Sequence, residues 1–421
     1  MTNRRVVVTG IGVLSPIGND VNTFNQSLLK GKNGIQKIAQ LQELGFGCQV
    51  GGLVSLEEAP FFPYIEQFLL SDASKVVKYA VCAGLEAWKN AQLEIPESFD
   101  NKPDYETGIV IGSAIGTIDM YEHKILPNVH NKTIRRLRST TVEHSMLSAP
   151  SANLAGILGL ANWIGFNSSA CSTGTESIIL AYQHIKNGMA KRMLAGGVDI
   201  FSPSGWAGFD AMRVTTREHN DNPSKASRPM SATALGFVPA EGCGMLVLEE
   251  YEEAMKRNAP IYTEIVGAHL NSGGQRNGGT ITAPGAEGVV RCIQTALGEA
   301  GILGQQVDLI AGHLSSTMAD VLEVQNWSVA LNRKNKDFPY INSLKSITGH
   351  CIGATGAIES IAAVLQLQHQ YVHASRNCKD LHPEIENLLN PGKISHETKN
   401  NVSLNYVAKS SFGFGDTNAV L

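Results

Sequence analysis

Short runs of aliphatic and β-branched residues, stopped by glycine or proline, recur along the chain and predict buried β-strands. The first run occupies residues 5–10 and ends at a Thr-Gly pair. Further runs of this kind lie at residues 108–112, 163–167, 193–200, 244–248, 262–270, 307–312, 339–343 and 401–407. Because most of these runs are apolar at every position, we expect helices to cover both faces of their sheets.

Stretches with helical periodicity lie between these runs. Residues 171–191 carry an apolar stripe with i, i+1, i+4 and i+7 spacing, and residues 354–370 are rich in Ala, Ile and Leu. Strands that alternate with helices indicate an α/β fold with mainly parallel sheets. The same order of elements restarts after residue 255, so we expect two duplicated halves, residues 1–255 and 256–421.

The composition is that of a large globular protein, with 421 residues, 43% of them hydrophobic and 17% charged. The net charge of −4 and the lack of a long basic block argue against nucleic-acid binding. Seven scattered cysteines show no Cys-x-x-Cys pair and no zinc spacing, so we expect reduced thiols and no metal. No apolar run reaches the roughly 20 residues of a membrane helix, and the first strand starts too early for a signal peptide. The chain is therefore predicted to be cytoplasmic, with no membrane partner.

A cysteine stands where a predicted strand turns into a long predicted helix, in the run Asn-Ser-Ser-Ala-Cys-Ser-Thr-Gly at residues 167–174. The unpaired N–H groups of a helix N-terminus favour a thiolate with a lowered pKa, and they can donate to an oxyanion. We therefore expect Cys171 to be a nucleophile and the other six cysteines to be ordinary buried thiols.

Two histidines occupy comparable places in the second half. His313 comes directly after a predicted strand, where α/β proteins build their sites, and hydroxyl side chains follow it. His350 lies in a strand-to-helix turn of small residues, with Lys345 before it and Glu359 one helical stretch later. A Lys345–Glu359 pair would hold this turn, and the sequence fits a purely structural role as well as a catalytic one.

The chain ends in the run Ser-Phe-Gly-Phe-Gly-Asp-Thr-Asn at residues 411–418, where glycines flank Phe414 and allow a mobile aromatic side chain. A cysteine nucleophile with two separate histidines argues against a protease, which needs one histidine base and an orienting carboxylate or amide. Two neutral N–H donors aimed at one carbonyl instead suit a developing enolate.

These four clusters, in this order, closely resemble the β-ketoacyl-acyl-carrier-protein synthases of the thiolase superfamily, from Val6 to Asn418. The most specific elements are Lys-Ser at 345–346 with His350 and the Gly-Ala pairs after it, and Ala-Cys-Ser-Thr-Gly at 170–174. The resemblance implies a five-layered αβαβα fold and a dimer with its active sites near the interface. It implies no cofactor beyond the phosphopantetheine arm that an acyl carrier protein delivers.

The resemblance also implies a decarboxylative Claisen condensation in fatty-acid or polyketide biosynthesis. Cys171 would accept an acyl group from the carrier protein as a thioester. His313 and His350 would then promote loss of carbon dioxide from a malonyl-carrier thioester, and the resulting carbanion would attack the acyl group on Cys171.

Further residues receive roles only through the resemblance. Lys345 would support the two histidines and Glu359 would be its carboxylate partner. Phe414 would gate the acyl pocket and share the oxyanion hole with the Cys171 N–H. The remaining implied contacts are those of Ser315 and Thr317 with the phosphopantetheine arm and of Ile115 with the acyl chain.

Several positions depart from the usual pattern of the family. Leu314 and Ser315 replace a glycine and a threonine, and the stretch 313–320 is one residue short. Residues 227–237 lack the usual aspartates and arginine, and Asp416 replaces a glycine, which would stiffen the gating loop or repel anions. These changes favour a specialised synthase for a polyketide or polyene-type product over ordinary fatty-acid elongation.

Two alternatives stay open. A non-catalytic chain-length or scaffold subunit of a ketosynthase heterodimer would typically lack the cysteine, so Cys171 marks this chain as an active member. A thiolase or starter-unit synthase acting on coenzyme A esters would pair its cysteine with one histidine and a second cysteine or asparagine. The working unit is expected to be a homodimer or a heterodimer with a chain-length-factor-like paralogue.

Overall fold

The computed structural model describes residues 4–99 and 102–421. The first three residues, on which the expectation of no signal peptide partly depends, lie outside these ranges. The strands are β1 (Val6–Leu14), β2 (Ile35–Lys37), β3 (Val50–Gly52), β4 (Thr107–Gly112), β5 (Ile164–Gly165), β6 (Arg192–Asp199), β7 (Gly242–Glu250), β8 (Thr263–Ile265), β9 (His269–Ser272), β10 (Leu309–Ala311), β11 (Tyr340–Asn342), β12 (Tyr371–Val372), β13 (Lys399–Asn400), β14 (Val407–Gly413) and β15 (Thr417–Val420).

Helices occupy much of the chain between the strands. They are α1 (Val21–Lys30), α2 (Ala39–Glu43), α3 (Pro63–Gln67), α4 (Lys75–Asn90), α5 (Ile118–Met120), α6 (Leu126–His130), α7 (Thr141–Ser145), α8 (Ala149–Leu158), α9 (Thr173–Lys186), α10 (Pro203–Ala211), α11 (Tyr251–Lys256), α12 (Ala286–Ala300), α13 (Ala319–Leu331), α14 (Lys345–Thr348), α15 (Thr355–His369) and α16 (Pro383–Glu386). Within the described ranges, no helix combines the length and the apolar character needed to cross a bilayer.

Two large mixed sheets form the framework. The first has the order β5-β4-β6-β7-β1-β8 and the second the order β11-β10-β14-β15-β9. In both sheets, counted from β5 in the first and from β11 in the second, the first two pairs of neighbouring strands are parallel and the following pairs are antiparallel. The five strands of the second sheet thus have the same order and directions as β5, β4, β6, β7 and β1 of the first sheet. This confirms the predicted duplication of structure.

The expectation of mainly parallel sheets was wrong, because each sheet contains antiparallel pairs as well. β14 and β15 show the reason most simply: three residues join them, and so short a connection can only make an antiparallel hairpin. Parallel pairing needs a crossover connection, which the chain has between β4 and β6 but not here.

The helices and sheets stack in five layers. α9 and α15 lie between the two sheets, where α9 packs on β4 and β6 and α15 on β7 and β14. α4 and α8 cover the outer face of the first sheet, while α12 packs on β9 and β15 of the second, with α13 beside it. This arrangement is the predicted αβαβα fold, and its central layer is an almost entirely buried apolar core.

Two strand predictions were wrong in detail. The predicted strand at 262–270 is two strands in different sheets, because β8 pairs with β1 and β9 with β15, and between them Gly267 packs on the Ala296 backbone with no room for a side chain. The predicted strand at 401–407 is irregular up to residue 406, because the N–H groups of Asn405 and Tyr406 bind the Asp308 carboxylate and not a neighbouring strand. The division of the chain at residues 255 and 256 stays a prediction.

Candidate active site

Three loops from distant parts of the chain meet at one cavity of about 190 Å³. Cys171 lies in the 3₁₀ turn Ala170–Ser172 before α9, His313 follows β10, and His350 lies between α14 and α15. The thiol and one nitrogen of each imidazole all lie within 4.8 Å of one another. Among the described residues, these three donor atoms are also close enough together to hold a metal ion. The sequence led us to expect no metal.

The backbone around Cys171 is held in an unusual conformation. Ala170 has φ 51°, a left-handed value that is uncommon for residues with a side chain and concentrates at functional sites. The Thr173 hydroxyl donates to the Ala170 carbonyl oxygen at 2.6 Å and accepts the Ser169 N–H at 2.9 Å. These bonds fix the turn so that the thiol faces the cavity.

Burial controls the ionisation of the Cys171 thiol. The side chain is half-buried because it opens onto the cavity, but the surrounding protein still raises its pKa to about 12. The positive charge of Lys345 acts in the opposite direction and does not cancel this effect. The expected lowering of the pKa by the helix N-terminus was therefore wrong, and the resting group is a thiol.

His350 is a neutral imidazole with a defined tautomer. Its Nδ1 accepts the Ile352 N–H at 3.0 Å and lies 2.9 Å from the Thr355 hydroxyl oxygen. Burial, together with the charges of Lys345 and Lys409, holds the pKa of His350 well below its ordinary value. With Nδ1 accepting, we infer that the single proton is on Nε2.

His313 is neutral for the same reason. Its ring centre is 5.5 Å from that of His350, and the two rings are nearly perpendicular. Burial, with Lys345 next in importance, holds the pKa of His313 well below its ordinary value. Its backbone is fixed on both sides: the N–H donates to Glu323 at 2.7 Å and the carbonyl oxygen accepts from Lys345. The pair can therefore present neutral N–H donors to one substrate atom.

A buried carboxylate between two lysines lies behind the histidines. Glu359 Oε1 is 2.6 Å from Lys345 Nζ, and Oε2 is 3.0 Å from Lys409 Nζ. The ammonium group of Lys409 also lies 3.0 Å from the Ser411 hydroxyl, which in turn is 2.8 Å from Thr175 on α9. Sequence reasoning found the Lys345–Glu359 pair but missed Lys409. A lysine among small residues in the last large strand was the available signal, since a buried charge needs a partner.

Three further buried acids position the loops, and sequence reasoning missed all of them. Asp199 accepts N–H groups from Ile115 and Gly353, which ties the loop after β4 to the turn that follows His350. Glu323 accepts the N–H groups of two consecutive residues, His313 and Leu314, and Asp320 accepts those of Ser315 and Ser316. Asp199 ends a strand and Asp320 lies in the first turn of a helix, which hinted at this role, whereas Glu323 lies inside α13 and gave no such signal.

The other predicted residues are placed as follows. Ser315 and Thr317 line the cavity, with their hydroxyl oxygens 3.0 Å apart, and Phe414 lines it from the turn between β14 and β15. Ile115 does not line this cavity, and it packs instead beside a small apolar cluster around Trp206. The acyl-pocket role of Ile115 stays a prediction.

Comparison with known proteins matches nearly the whole chain to one family. Residues 3–254 match the beta-ketoacyl synthase N-terminal domain and residues 262–379 the C-terminal domain. Curated relatives include 3-oxoacyl-[acyl-carrier-protein] synthase 2 of Vibrio harveyi, 35% identical, and that of Staphylococcus aureus, 34% identical. Each alignment covers 100% of this chain and 98% of the relative.

Solved ketosynthase structures have the same fold. A beta-ketoacyl synthase from Burkholderia phymatum gives a TM-score of 0.88 at 28% identity, over 99% of this chain and 98% of that one. The type II polyketide ketosynthase AntDE, in complex with its acyl-carrier protein AntF, gives a TM-score of 0.85 at 29% identity. The match covers 100% of this chain and 98% of that one. The ishigamide ketosynthase/chain length factor gives a TM-score of 0.86 at 25% identity, over 100% of this chain and 98% of that one.

Proposed function

The chain belongs to the β-ketoacyl synthase family, and from this premise we propose that Cys171, His313 and His350 are its catalytic residues. The enzyme condenses a bound acyl thioester with malonyl-acyl carrier protein, with loss of carbon dioxide, in fatty-acid or polyketide biosynthesis. The observation that carries the assignment of residues is the meeting of one thiol and two imidazoles within 4.8 Å.

In the first stage, the Cys171 sulfur attacks the carbonyl carbon of an acyl-carrier thioester. The new S–C bond forms as the bond to the carrier sulfur breaks, and the thiol proton ends on the departing pantetheine sulfur. Because burial raises the pKa of Cys171 to about 12, this proton leaves while the S–C bond forms and not before. A neutral imidazole is a competent acceptor to relay it.

In the second stage, His313 and His350 donate N–H groups to the thioester carbonyl oxygen of the malonyl unit. The carbon–carbon bond to the carboxylate breaks and carbon dioxide leaves. The electron pair of the broken bond stays on the malonyl unit and forms an enolate that these donors stabilise. The enolate carbon attacks the acyl carbonyl carbon on Cys171, whose C–S bond then breaks. The released Cys171 thiolate takes up one proton from water, which replaces the thiol proton that left with the carrier sulfur in the first stage, so the cycle ends in the resting state.

The surrounding residues have supporting roles in this proposal. Lys345 fixes His313 through its backbone oxygen, and Glu359 holds that lysine in place. The N–H groups of Cys171 and Phe414 form the oxyanion hole for the acyl group, and Phe414 gates the acyl pocket. The hydroxyl groups of Ser315 and Thr317, which line the cavity, receive the phosphopantetheine arm.

The partner in this reaction is an acyl carrier protein, whose arm supplies the prosthetic group. The working unit is a homodimer or a heterodimer with a chain-length-factor-like paralogue, of the kind named for the ishigamide enzyme. The presence of Cys171 makes this chain the acylated member of either assembly. The departures at Leu314, Ser315 and Asp416 favour a polyketide or polyene-type product.

Mass spectrometry of the intact protein after incubation with an acyl-carrier substrate tests this proposal. We expect a single acyl adduct that maps to Cys171, disappears in Cys171→Ala and persists in the control Cys48→Ala, which removes a buried thiol elsewhere. An adduct that survives Cys171→Ala, or its absence from the unaltered protein, would refute the assignment. The mass of any adduct on the protein as isolated identifies the acyl chain.

A further inference from the structure

The turn that carries Phe414 contains an aspartate in an unexpected environment. β14 and β15 pair as far as Gly413 and Thr417, so the turn consists of Phe414, Gly415 and Asp416. Asp416 has φ 59°, a left-handed conformation that glycine adopts freely and most side chains do not. Its side chain is buried, whereas aspartates at turns usually face water.

Both carboxylate oxygens of Asp416 bind residues 273–285, which we call the entrance segment. Oδ2 accepts the Gln275 N–H and Oδ1 accepts the Gly285 N–H, both at 2.8 Å. The segment is shaped around this carboxylate: a Cβ at Gly279 would lie 2.7 Å from Oδ2, and one at Gly273 would lie closer still. Only glycine fits at these places, so the aspartate and the segment are matched to each other.

The backbone of the turn adds two more bonds to the entrance segment. The Gly273 N–H donates to the Asp416 carbonyl oxygen at 3.2 Å, and the Gly415 N–H donates to the Ile281 oxygen at 2.7 Å. Among the described residues, the other hydrogen bonds of the segment stay within it or reach only Ser272 and α12, which adjoin it in sequence. The turn is therefore its main attachment to the rest of the molecule.

The entrance segment also forms part of the cavity wall. Thr282, Ala283 and Pro284 line the same cavity as Phe414 and Cys171. Most of the segment is exposed, while its anchoring points Gly279 and Gly285 are buried against Asp416. A movement of Phe414 that carries its turn along must therefore break these bonds or move the wall as well.

We propose that the Asp416 carboxylate couples the Phe414 turn to the entrance segment, so that the gate and the cavity wall move together. We expect this restraint to disfavour long acyl chains more than short ones, since a longer chain needs more room past Phe414. The inference rests on the proposed gating role of Phe414, and it adds the residue that restrains the gate.

Acylation rates of matched variants test this inference. We compare Cys171 acylation by decanoyl-carrier and acetyl-carrier substrates in Asp416→Gly, which tolerates the left-handed turn but lacks the carboxylate. We expect its decanoyl-to-acetyl rate ratio to rise roughly fivefold or more. Asp416→Asn keeps one acceptor oxygen and should give a smaller rise. Glu43→Gln, an exposed change at the end of α2 that removes no bond to the turn or to the entrance segment, should leave the ratio unchanged.

Hydrogen exchange of the same variants measures the coupling itself. We expect faster exchange across residues 273–285 in Asp416→Gly than in the control Glu43→Gln. Unchanged exchange would show that the carboxylate does not hold the entrance segment. Faster exchange with an unchanged decanoyl-to-acetyl rate ratio would show that holding the segment has no effect on the choice of acyl chain. Either result overturns the proposal. If Asp416→Gly does not fold, Asp416→Asn carries both comparisons. A wild-type protein that forms no acyl adduct contradicts the proposed function instead, and exchange still decides the coupling.

Discussion

At the scale of single residues, the site consists of groups that burial keeps uncharged. The Cys171 thiol has its pKa raised to about 12, and the pKa values of His313 and His350 are held well below the ordinary value. A neutral imidazole keeps one N–H to donate and one lone pair to accept, so the pair can bind an enolate oxygen and relay a proton. This charge state suits decarboxylation better than proton abstraction by a strong base.

Replacing Cys171, the proposed nucleophile, by an amide should separate the two stages. In Cys171→Gln, the neutral side chain mimics the acylated thiol but cannot accept an acyl group. We therefore expect continued release of carbon dioxide from malonyl-acyl carrier protein with no condensation product. Measurement of both products decides this, and a variant that releases no carbon dioxide contradicts the assigned division of labour.

Removing one N–H donor should slow decarboxylation. We expect His350→Ala to lower the rate of carbon dioxide release by about 10²-fold or more, the usual effect of losing a polar group that stabilises the transition state. His269→Asn, which changes a half-buried histidine outside the cavity, is the control and should keep the wild-type rate. An unchanged rate in His350→Ala would reduce His350 to a structural residue.

The pH dependence follows from the lowered pKa values of the histidines. A histidine with a lowered pKa stays neutral as the pH falls through its ordinary value of about 6.5, and it gains a proton only below its own pKa. We expect decarboxylation by Cys171→Gln to be flat between about pH 6 and 8. A loss of rate centred near pH 6.5 in a pH–rate profile would show that a histidine titrates normally.

At the scale of elements, one ion cluster joins three parts of the second half. Glu359 on α15 binds Lys345 of α14 and Lys409 of β14, and Ser411 extends the link to Thr175 on α9. The loop of His313 is attached through Lys345. The cluster therefore fixes the histidine side of the site relative to the helix that begins beside Cys171.

Breaking this cluster should destabilise the fold strongly. Glu359→Gln leaves two buried ammonium groups without a carboxylate, and we expect a loss of about 3–5 kcal/mol in the free energy of unfolding by urea. Adding Lys409→Met removes one of those charges and should restore part of the loss. Asp221→Asn breaks an exposed pair with Lys37 and should cost under about 1 kcal/mol. Equal losses in the buried and exposed variants would contradict this account.

At the scale of the whole molecule, the proposed catalytic residues are divided between two structural repeats. Cys171 comes from the repeat built on the first sheet, and both histidines come from the repeat built on the second. α9 and α15 meet between the sheets, where Gly174 packs against the Gly353 carbonyl and Ala357 with no room for a side chain. The cavity exists only because the two repeats pack this closely.

The stability of the whole molecule should depend on a buried acid far from the cavity. Glu86 on α4 accepts the N–H groups of Val13 and Val21, yet burial raises its pKa to about 8. Because the folded-state pKa lies above the unfolded value, the folded protein binds the extra proton, and its stabilisation is lost as the pH rises from about 4.5 to 8.

The variant Glu86→Gln isolates this effect, because glutamine resembles the protonated acid. Relative to the wild type, we expect the variant to gain about 2–4 kcal/mol in stability between pH 5 and 8, as the wild type loses its proton. Denaturation curves at several pH values give this difference, and other titrating groups cancel in the comparison. A difference that does not change with pH would show that Glu86 is ionised throughout.

The sequence by itself determined the order of the elements, the family and the residues proposed for the site. Alternation of apolar runs with helical stretches is a local pattern, so the strands that end at Gly112 and Ala311 and the helix after Cys171 were predicted close to their observed positions. Cys171, His313 and His350 could be singled out as candidates because Cys171 precedes a long helix, His313 follows a strand, and His350 lies in a turn of small residues.

Only the tertiary structure decided strand direction and charge state. Strand directions depend on which strands become neighbours in space, so the antiparallel half of each sheet was not readable from local periodicity. The raised pKa of Cys171, the role of Lys409 and the bonds of Asp416 depend on groups tens or hundreds of residues away in sequence. Burial and Coulomb energies act through distance in space, and a linear sequence does not contain those distances.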